Sequence, residues 1–217
     1  MLSKAYLFLY NAVQCAGWSY LMLLLAPTLT TGKHADLYTK VELVLKVFQT
    51  AAVLEIAHAA LGLVRSSPVL TGFQVFSRVF VTWAVVHVCR AAQLSPGFPM
   101  LLFAWSVTEI IRYGFYALNI AGIPAYGVTY LRYTLFIVLY PIGVTGELWC
   151  CFVTLPYLAK TGLFSVGMPN ALNFTFSSYV MLVLIMLSYI PIFPQLYFYM
   201  FAQRRKVIGG EGKAKAN

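Results

Sequence analysis

The chain has 217 residues, of which 61% are hydrophobic and only 10% charged, and its mean hydropathy is +0.79. A soluble domain is roughly 45–50% apolar and about 25% charged, so a water-soluble globule and a disordered chain are both excluded. The apolar residues run on rather than alternate, which argues against a membrane β-barrel. The net charge of +9, from 15 Lys and Arg against six Asp and Glu, fits the positive-inside bias of a helical membrane protein better than a nucleic-acid binder.

At about 20 apolar residues per span, the chain has room for roughly six or seven. The first is expected over residues 5–26. It is too long for the apolar core of a signal peptide, and no small-x-small cleavage site follows it. A polar loop leads to span two, 42–64, which Arg65-Ser-Ser-Pro68 ends. Span three, 72–92, is closed by Ser95-Pro96-Gly97. Span four covers 98–118, and Gly122 and Pro124 mark the short loop after it. Span five, 128–155, is interrupted by Pro141, Gly143 and Gly146. The Lys160–Asn170 loop leads to span six, 171–201, which carries Pro191 and Pro194. The expected fold is an all-α membrane protein, a single bundle of six transmembrane helices over 1–203, followed by a basic tail, 204–217.

Six spans put both termini on one side. That side carries Lys4, Arg65, Arg204, Arg205, Lys206, Lys213 and Lys215, against Lys33, Lys40, Arg90 and Lys160 on the other. The excess predicts cytosolic termini. Lys213 and Lys215, third and fifth from the end, resemble a dilysine retrieval signal of endoplasmic reticulum membrane proteins. The four cysteines fall in apolar runs at spacings that fit neither a zinc site nor a redox pair. The Asn173-Phe-Thr175 sequon starts span six, too close to the membrane for use.

An ionisable residue within hydrocarbon is costly and marks a functional site by default. Lys46, Glu55, His58, Arg78, His87, Glu109, Arg112, Arg132 and Glu147 all fall within apolar runs. In the six-span arrangement His58, Arg78, Arg112 and Arg132 lie within roughly 10 Å of the cytosolic face, at about 1.5 Å per residue. Glu109 and Arg112 are three apart and share a helix face, as do Glu55 and His58. Both pairs also suit a purely structural role. Tyr133, Tyr140 and Glu147 recur every seven residues on one face of span five, with Arg132 beside them. A cationic layer above a tyrosine and a carboxylate suits an amphiphile with an anionic head and a long apolar tail, such as an acyl-CoA or a phospholipid.

Four stretches carry a specific resemblance: Leu54-Glu-Ile-Ala-His58, the run Trp105 to Tyr113, the run Arg132 to Glu147, and the run Tyr189 to Tyr197. Together they resemble the very-long-chain (3R)-3-hydroxyacyl-CoA dehydratase family, also called tyrosine-phosphatase-like, whose plant branch is the PASTICCINO 2 type. The resemblance spans about Tyr6 to Lys206. It implies a dehydratase of fatty-acid elongation in the endoplasmic reticulum membrane, giving a trans-2-enoyl-CoA and working beside other elongation enzymes. It places the catalytic pair on Tyr140 and Glu147, and further activity-linked positions on Arg78, Glu109, Arg112, Arg132 and Gly143. Phosphatase chemistry is excluded, because Ala59 follows His58 where a phosphatase needs its nucleophilic cysteine.

Such a dehydration needs a base for the C2 proton and an acid for the C3 hydroxyl, and no metal or redox cofactor beyond the coenzyme A of the substrate. Tyr140 as base with Glu147 as acid is the first assignment, and the reverse remains open. The arginines would hold coenzyme A phosphates or orient the pair. Non-enzymatic rivals are a small transporter and a lipid-binding scaffold.

Overall fold

The computed structural model describes residues 2–64, 66–169 and 173–214, the last five of these by their backbone alone. Arg65, Asn170 and Lys215, which figure in the expected boundaries and tail signal, lie outside the described residues. The secondary structure described is helical, apart from one antiparallel bridge between Val166 and Phe176. Helix α1 covers Leu2–Thr31, α2 Leu37–Ala51 and α3 Leu54–Ala60. Helix α4, Pro68–Phe80, passes directly into a π-helical segment, Val81–Val86. The short α5, Arg90–Gln93, precedes α6, Gly97–Ile120. Helix α7 is Tyr126–Arg132, α8 Phe136–Thr161 and α9 Ser178–Ala214.

Several expected spans are therefore divided or shifted. Span two is split by a turn at Ala52 and Val53. Span three begins at Pro68, a residue well suited to a first helical turn, where no N–H is needed. Span five is broken at residues 133–135, so Arg132 and Tyr133 do not continue the face of Tyr140 and Glu147. Helix α8 then runs past residue 155 to Thr161, where Gly162 turns left-handed at φ 60°. Span six starts seven residues late, because Phe176 pairs with Val166 and Ser165 accepts the Ser178 backbone N–H. At its other end α9 crosses the expected tail boundary at 204 without a break.

Five helical runs are long and apolar enough to cross a membrane: Leu2–Thr31, Leu37–Ala60, Pro68–Val86, Phe136–Thr161 and Ser178–Gly209. Helix α6, the expected fourth span, is not among them. It packs against both α1 and α8. Ser106 and Glu109 are therefore buried against protein and need not be lipid-soluble. The outer surface shows the converse pattern. Leu23, Leu43, Phe73, Ile190 and Phe198 are largely exposed, as expected where the surrounding solvent is hydrocarbon.

Two local features fix α8. Its contact with α6 is backbone-close: a Cβ on Gly146 would lie 2.6 Å from the Leu101 nitrogen and 2.7 Å from the Gly97 oxygen. One turn away, a Cβ on Gly143 would meet that of Ala104 at 3.3 Å. Pro141 has no N–H, so it cannot bond the carbonyl of Ile137 four residues earlier. The Tyr197 hydroxyl of α9 donates to that carbonyl at 2.9 Å. The proline thus creates an acceptor in α8 that α9 satisfies.

Gly146→Val should force α6 and α8 apart and cost at least about 1–3 kcal/mol, read as a lower unfolding temperature in detergent. Gly127→Ala, where a Cβ meets open space, should leave the transition in place. Tyr197→Phe should lower stability by about 1–3 kcal/mol, the cost of an orphaned buried acceptor.

Candidate functional site

Two carboxylates and two guanidiniums meet in the middle of the bundle. Glu109 of α6 is buried and accepts from Arg112 one turn on, at 2.8 Å from Nε. It also pairs with Arg78 of α4. Arg112 in turn grips Glu55 of α3 through both terminal nitrogens, at 2.6 and 2.9 Å. The Tyr113 hydroxyl donates to the same Glu55 carboxylate. The charges cancel within the cluster, and every carboxylate oxygen in it accepts at least one hydrogen bond.

The Glu109–Arg112 pair is thus as the spacing predicts. The Glu55–His58 pair is not formed. Glu55 turns to Arg112, whose planar fork matches a carboxylate at two points. His58 is buried against α1 instead, 2.9 Å from the Tyr6 hydroxyl and edge-on to the Tyr10 ring.

Next to this cluster stands Trp105. The Arg78 guanidinium lies 5.6 Å from the centre of its ring, a cation–π contact. The indole N–H donates to Glu147 Oε1 at 2.8 Å. The other oxygen, Oε2, accepts from the Tyr189 hydroxyl of α9 at 2.7 Å. Glu147 is therefore buried, with both oxygens engaged by neutral donors from the two helices that flank α8.

Tyr140 lies two helical turns from Glu147 on the same helix. Its ring stacks on Phe193 at 5.1 Å and on Tyr197 at 6.0 Å, with interplanar angles of 7° in both cases. The hydroxyl makes no hydrogen bond among the described residues, and it is not among the buried polar atoms that lack a partner. It therefore reaches an accessible surface with its donor and acceptor capacity unused.

Arg132 is apart from the others. It ends α7, donates to the Tyr116 hydroxyl at 3.0 Å and sits 4.4 Å from the centre of the Phe115 ring. One of its terminal nitrogens, Nη1, is buried without a partner. The three arginines expected in one layer are thus two neutralised by carboxylates and one among aromatic rings. Gly143 has its place at the α6–α8 contact, facing Ala104.

Trp105, Tyr189, Phe193 and Tyr197 stand in the site although none was assigned a role from sequence. A signal was available. Tyr189, Phe193, Tyr197 and Phe201 recur every four residues and so occupy one face of α9.

The profile described as "Protein tyrosine phosphatase-like protein, PTPLA" matches residues 49–210. The human protein named very-long-chain (3R)-3-hydroxyacyl-CoA dehydratase 2 is 50% identical over 208 residues, which are 95% of this chain and 82% of that protein. The Caenorhabditis elegans dehydratase hpo-8 is 49% identical, with 98% of both chains covered. The Arabidopsis thaliana dehydratase PASTICCINO 2 is 37% identical over 94% of this chain and 93% of its own. No solved structure matches. The chain belongs to the tyrosine phosphatase-like family, and these three relatives carry the name very-long-chain (3R)-3-hydroxyacyl-CoA dehydratase.

Proposed function

We propose that the protein removes water from a long- or very-long-chain (3R)-3-hydroxyacyl-CoA to give the trans-2-enoyl-CoA, with Tyr140 and Glu147 as the acid–base pair. The observation that carries this reading is the Glu147 carboxylate. It is buried and held by two neutral donors on the helix that also presents the unengaged Tyr140 hydroxyl.

Glu147 accepts the proton from C2. The electrons of that C–H bond become the second bond between C2 and C3, and the C3–O bond breaks. Tyr140 gives its phenolic proton to the departing hydroxyl, which leaves as water, and the proton on Glu147 then returns to Tyr140 by way of solvent. These roles reverse the first assignment from sequence. A carboxylate with both oxygens accepting suits the ionised form, and a free phenol keeps a proton to donate. The opposite roles require a tyrosinate, and Arg78 and Arg112 are already committed to carboxylates.

Arg78, Glu109 and Arg112 act as positioning residues that hold Trp105 and thereby Glu147. Gly143 lets α6 and α8 meet. Arg132 is the arginine left to face coenzyme A phosphates. The elimination is redox-neutral, so an acid and a base suffice, and coenzyme A arrives on the substrate. The same reading counts α6 as the fourth of six spans, puts both termini in the cytosol and places the protein in the endoplasmic reticulum membrane. There it stands beside the enzymes that make its hydroxyacyl-CoA and reduce its enoyl product. The basic end with Lys213 and Lys215 supports that location.

Purified protein given a 3-hydroxyacyl-CoA should yield the 2-enoyl-CoA. Tyr140→Phe and Glu147→Gln should each lower kcat by at least about a hundredfold, the low end for acid–base groups, with the unfolding transition retained. Full turnover in either variant would remove these roles, and lipid or ion flux through vesicles without turnover would favour a transporter. A tag at the C-terminus should be reached by protease in sealed microsomes, and Lys213→Ala with Lys215→Ala should let the protein leave the endoplasmic reticulum. A tag protected until detergent is added would invert the orientation.

A further inference from the structure

The π-helical segment after α4 and the helix α9 both pack on α8, yet they hardly touch one another. Beside the C-terminal half of α8, Phe80, Ala84, Leu158, Met181 and Leu182, with Phe164, Phe176 and Ser178, line an apolar groove of about 150 Å³. Leu158 falls about three helical turns after Glu147 and Leu182 about two before Tyr189, so each shares its helix face with that residue. The groove is open at its side, where Met181 is 43% exposed. No ionisable side chain lines it.

We infer that this groove receives the outer part of the substrate's acyl chain and sets the chain length above which the enzyme gains selectivity. The inference rests on the dehydratase reading. Leu158 is eleven residues beyond Glu147 on α8, or about 16 Å along a helix. Leu182 is seven residues before Tyr189 on α9, or about 10 Å. The groove thus lies about 10–16 Å past the Glu147 carboxylate, on the side away from Tyr140. An extended hydrocarbon advances about 1.3 Å per carbon, from carbon–carbon bonds of about 1.5 Å at tetrahedral angles. Eight to twelve carbons, by that rough count, separate the reacting C2 and C3 from the groove. Chains of about ten carbons or fewer do not enter it, and chains of about sixteen or more occupy it.

The occupant is hydrocarbon because the lining is apolar but for Ser178, whose hydroxyl is engaged with that of Ser165. Its openness also matters. Carbons beyond the groove pass sideways into the bilayer, so the groove sets a lower preference and no upper limit. A closed pocket of that volume would exclude very long chains.

The test is a chain-length series on the full-length protein in detergent micelles, with 3-hydroxyacyl-CoAs of 8, 10, 16, 18 and 20 carbons. Ala84→Trp places an indole in the groove. Its kcat/KM on the 18-carbon substrate should fall by at least about tenfold, on the scale of two buried methylenes, with the 8-carbon value held within twofold. Met181→Trp, on the exposed rim, should shift the ratio the same way by a smaller factor, and it decides the matter if Ala84→Trp does not fold. A photoreactive diazirine near carbon 16 should label peptides of the groove, and one at carbon 6 should not. An unchanged ratio of 18-carbon to 8-carbon kcat/KM in the folded variants overturns the groove assignment and leaves the dehydratase reading standing. Absence of turnover by the wild type on every length overturns both.

Discussion

The interaction on which the rest depends is the sharing of Glu109 between Arg78 and Arg112. Within a bilayer, helices gain nothing by hiding apolar faces from one another, because lipid is equally apolar. What they gain by meeting is packing and the partnering of groups that lipid cannot serve. Glu109 needs two cations from two helices, and Arg112 needs a second carboxylate, which α3 provides. Three helices are thereby tied at one depth. Losing one partner of such a cluster typically costs about 3–5 kcal/mol, because a charge is left uncompensated. The same guanidinium of Arg78 lies against Trp105, and Trp105 holds Glu147. The Glu147 carboxylate is thus positioned by a network of paired charges that it does not itself join.

The opposite side of the site is built loosely. Helix α9 packs chiefly on α8 and leaves many of its apolar residues exposed, Leu184, Ile190 and Phe198 among them. It is nonetheless pinned at two points, by Tyr189 on Glu147 and by Tyr197 on the carbonyl that Pro141 frees. Both are single hydrogen bonds from long aromatic side chains. A wall held at a few points along its length can admit a hydrocarbon chain between itself and its neighbour. A wall packed as tightly as α6 on α8 cannot. The two faces of α8 thus divide the work. The glycine face toward α6 fixes the helix, and in the proposed function the face toward α9 is where substrate lies.

Much of this was legible in the sequence, for definable reasons. Spans appear as long apolar runs, and Glu109–Arg112 appears as a three-residue spacing on one helix. The Tyr140–Glu147 register follows from helical period alone. The breaks were less visible. Nothing in the run from Tyr126 to Thr161 announces a turn at residues 133–135, because Tyr133, Thr134 and Leu135 include neither glycine nor proline. Partners across helices were also hidden. Glu55 could be paired with His58 by local spacing, but only the fold brings Arg112 to it from 57 positions away. Pro141 could be read as a kink, whereas its consequence here is an unfilled carbonyl, and the group that fills it lies 60 positions on. Helix α6 was found by its apolar run, although its polar content makes sense only once its packing between α1 and α8 is known.

The charges themselves single out one residue. Glu55 and Glu109 are matched by Arg112 and Arg78, and Glu42 is matched by Lys46. Taking out these three acids and three bases leaves the net charge of +9 as it was. The excess therefore belongs to helix ends, loops and the tail, with Arg132 among its rings. Of the acids that remain, Asp36 precedes α2 at a helix boundary and Glu211 lies near the end of the chain. Glu147 is left, a buried carboxylate in the middle of a helix with an indole and a phenol for partners and no basic side chain bonded to it. A carboxylate clasped by guanidiniums is fixed as an anion and takes no part in proton traffic. One held by neutral donors can gain and lose a proton without breaking an ion pair. That difference separates Glu147 from the structural acids, and it depends on contacts rather than on position along the chain.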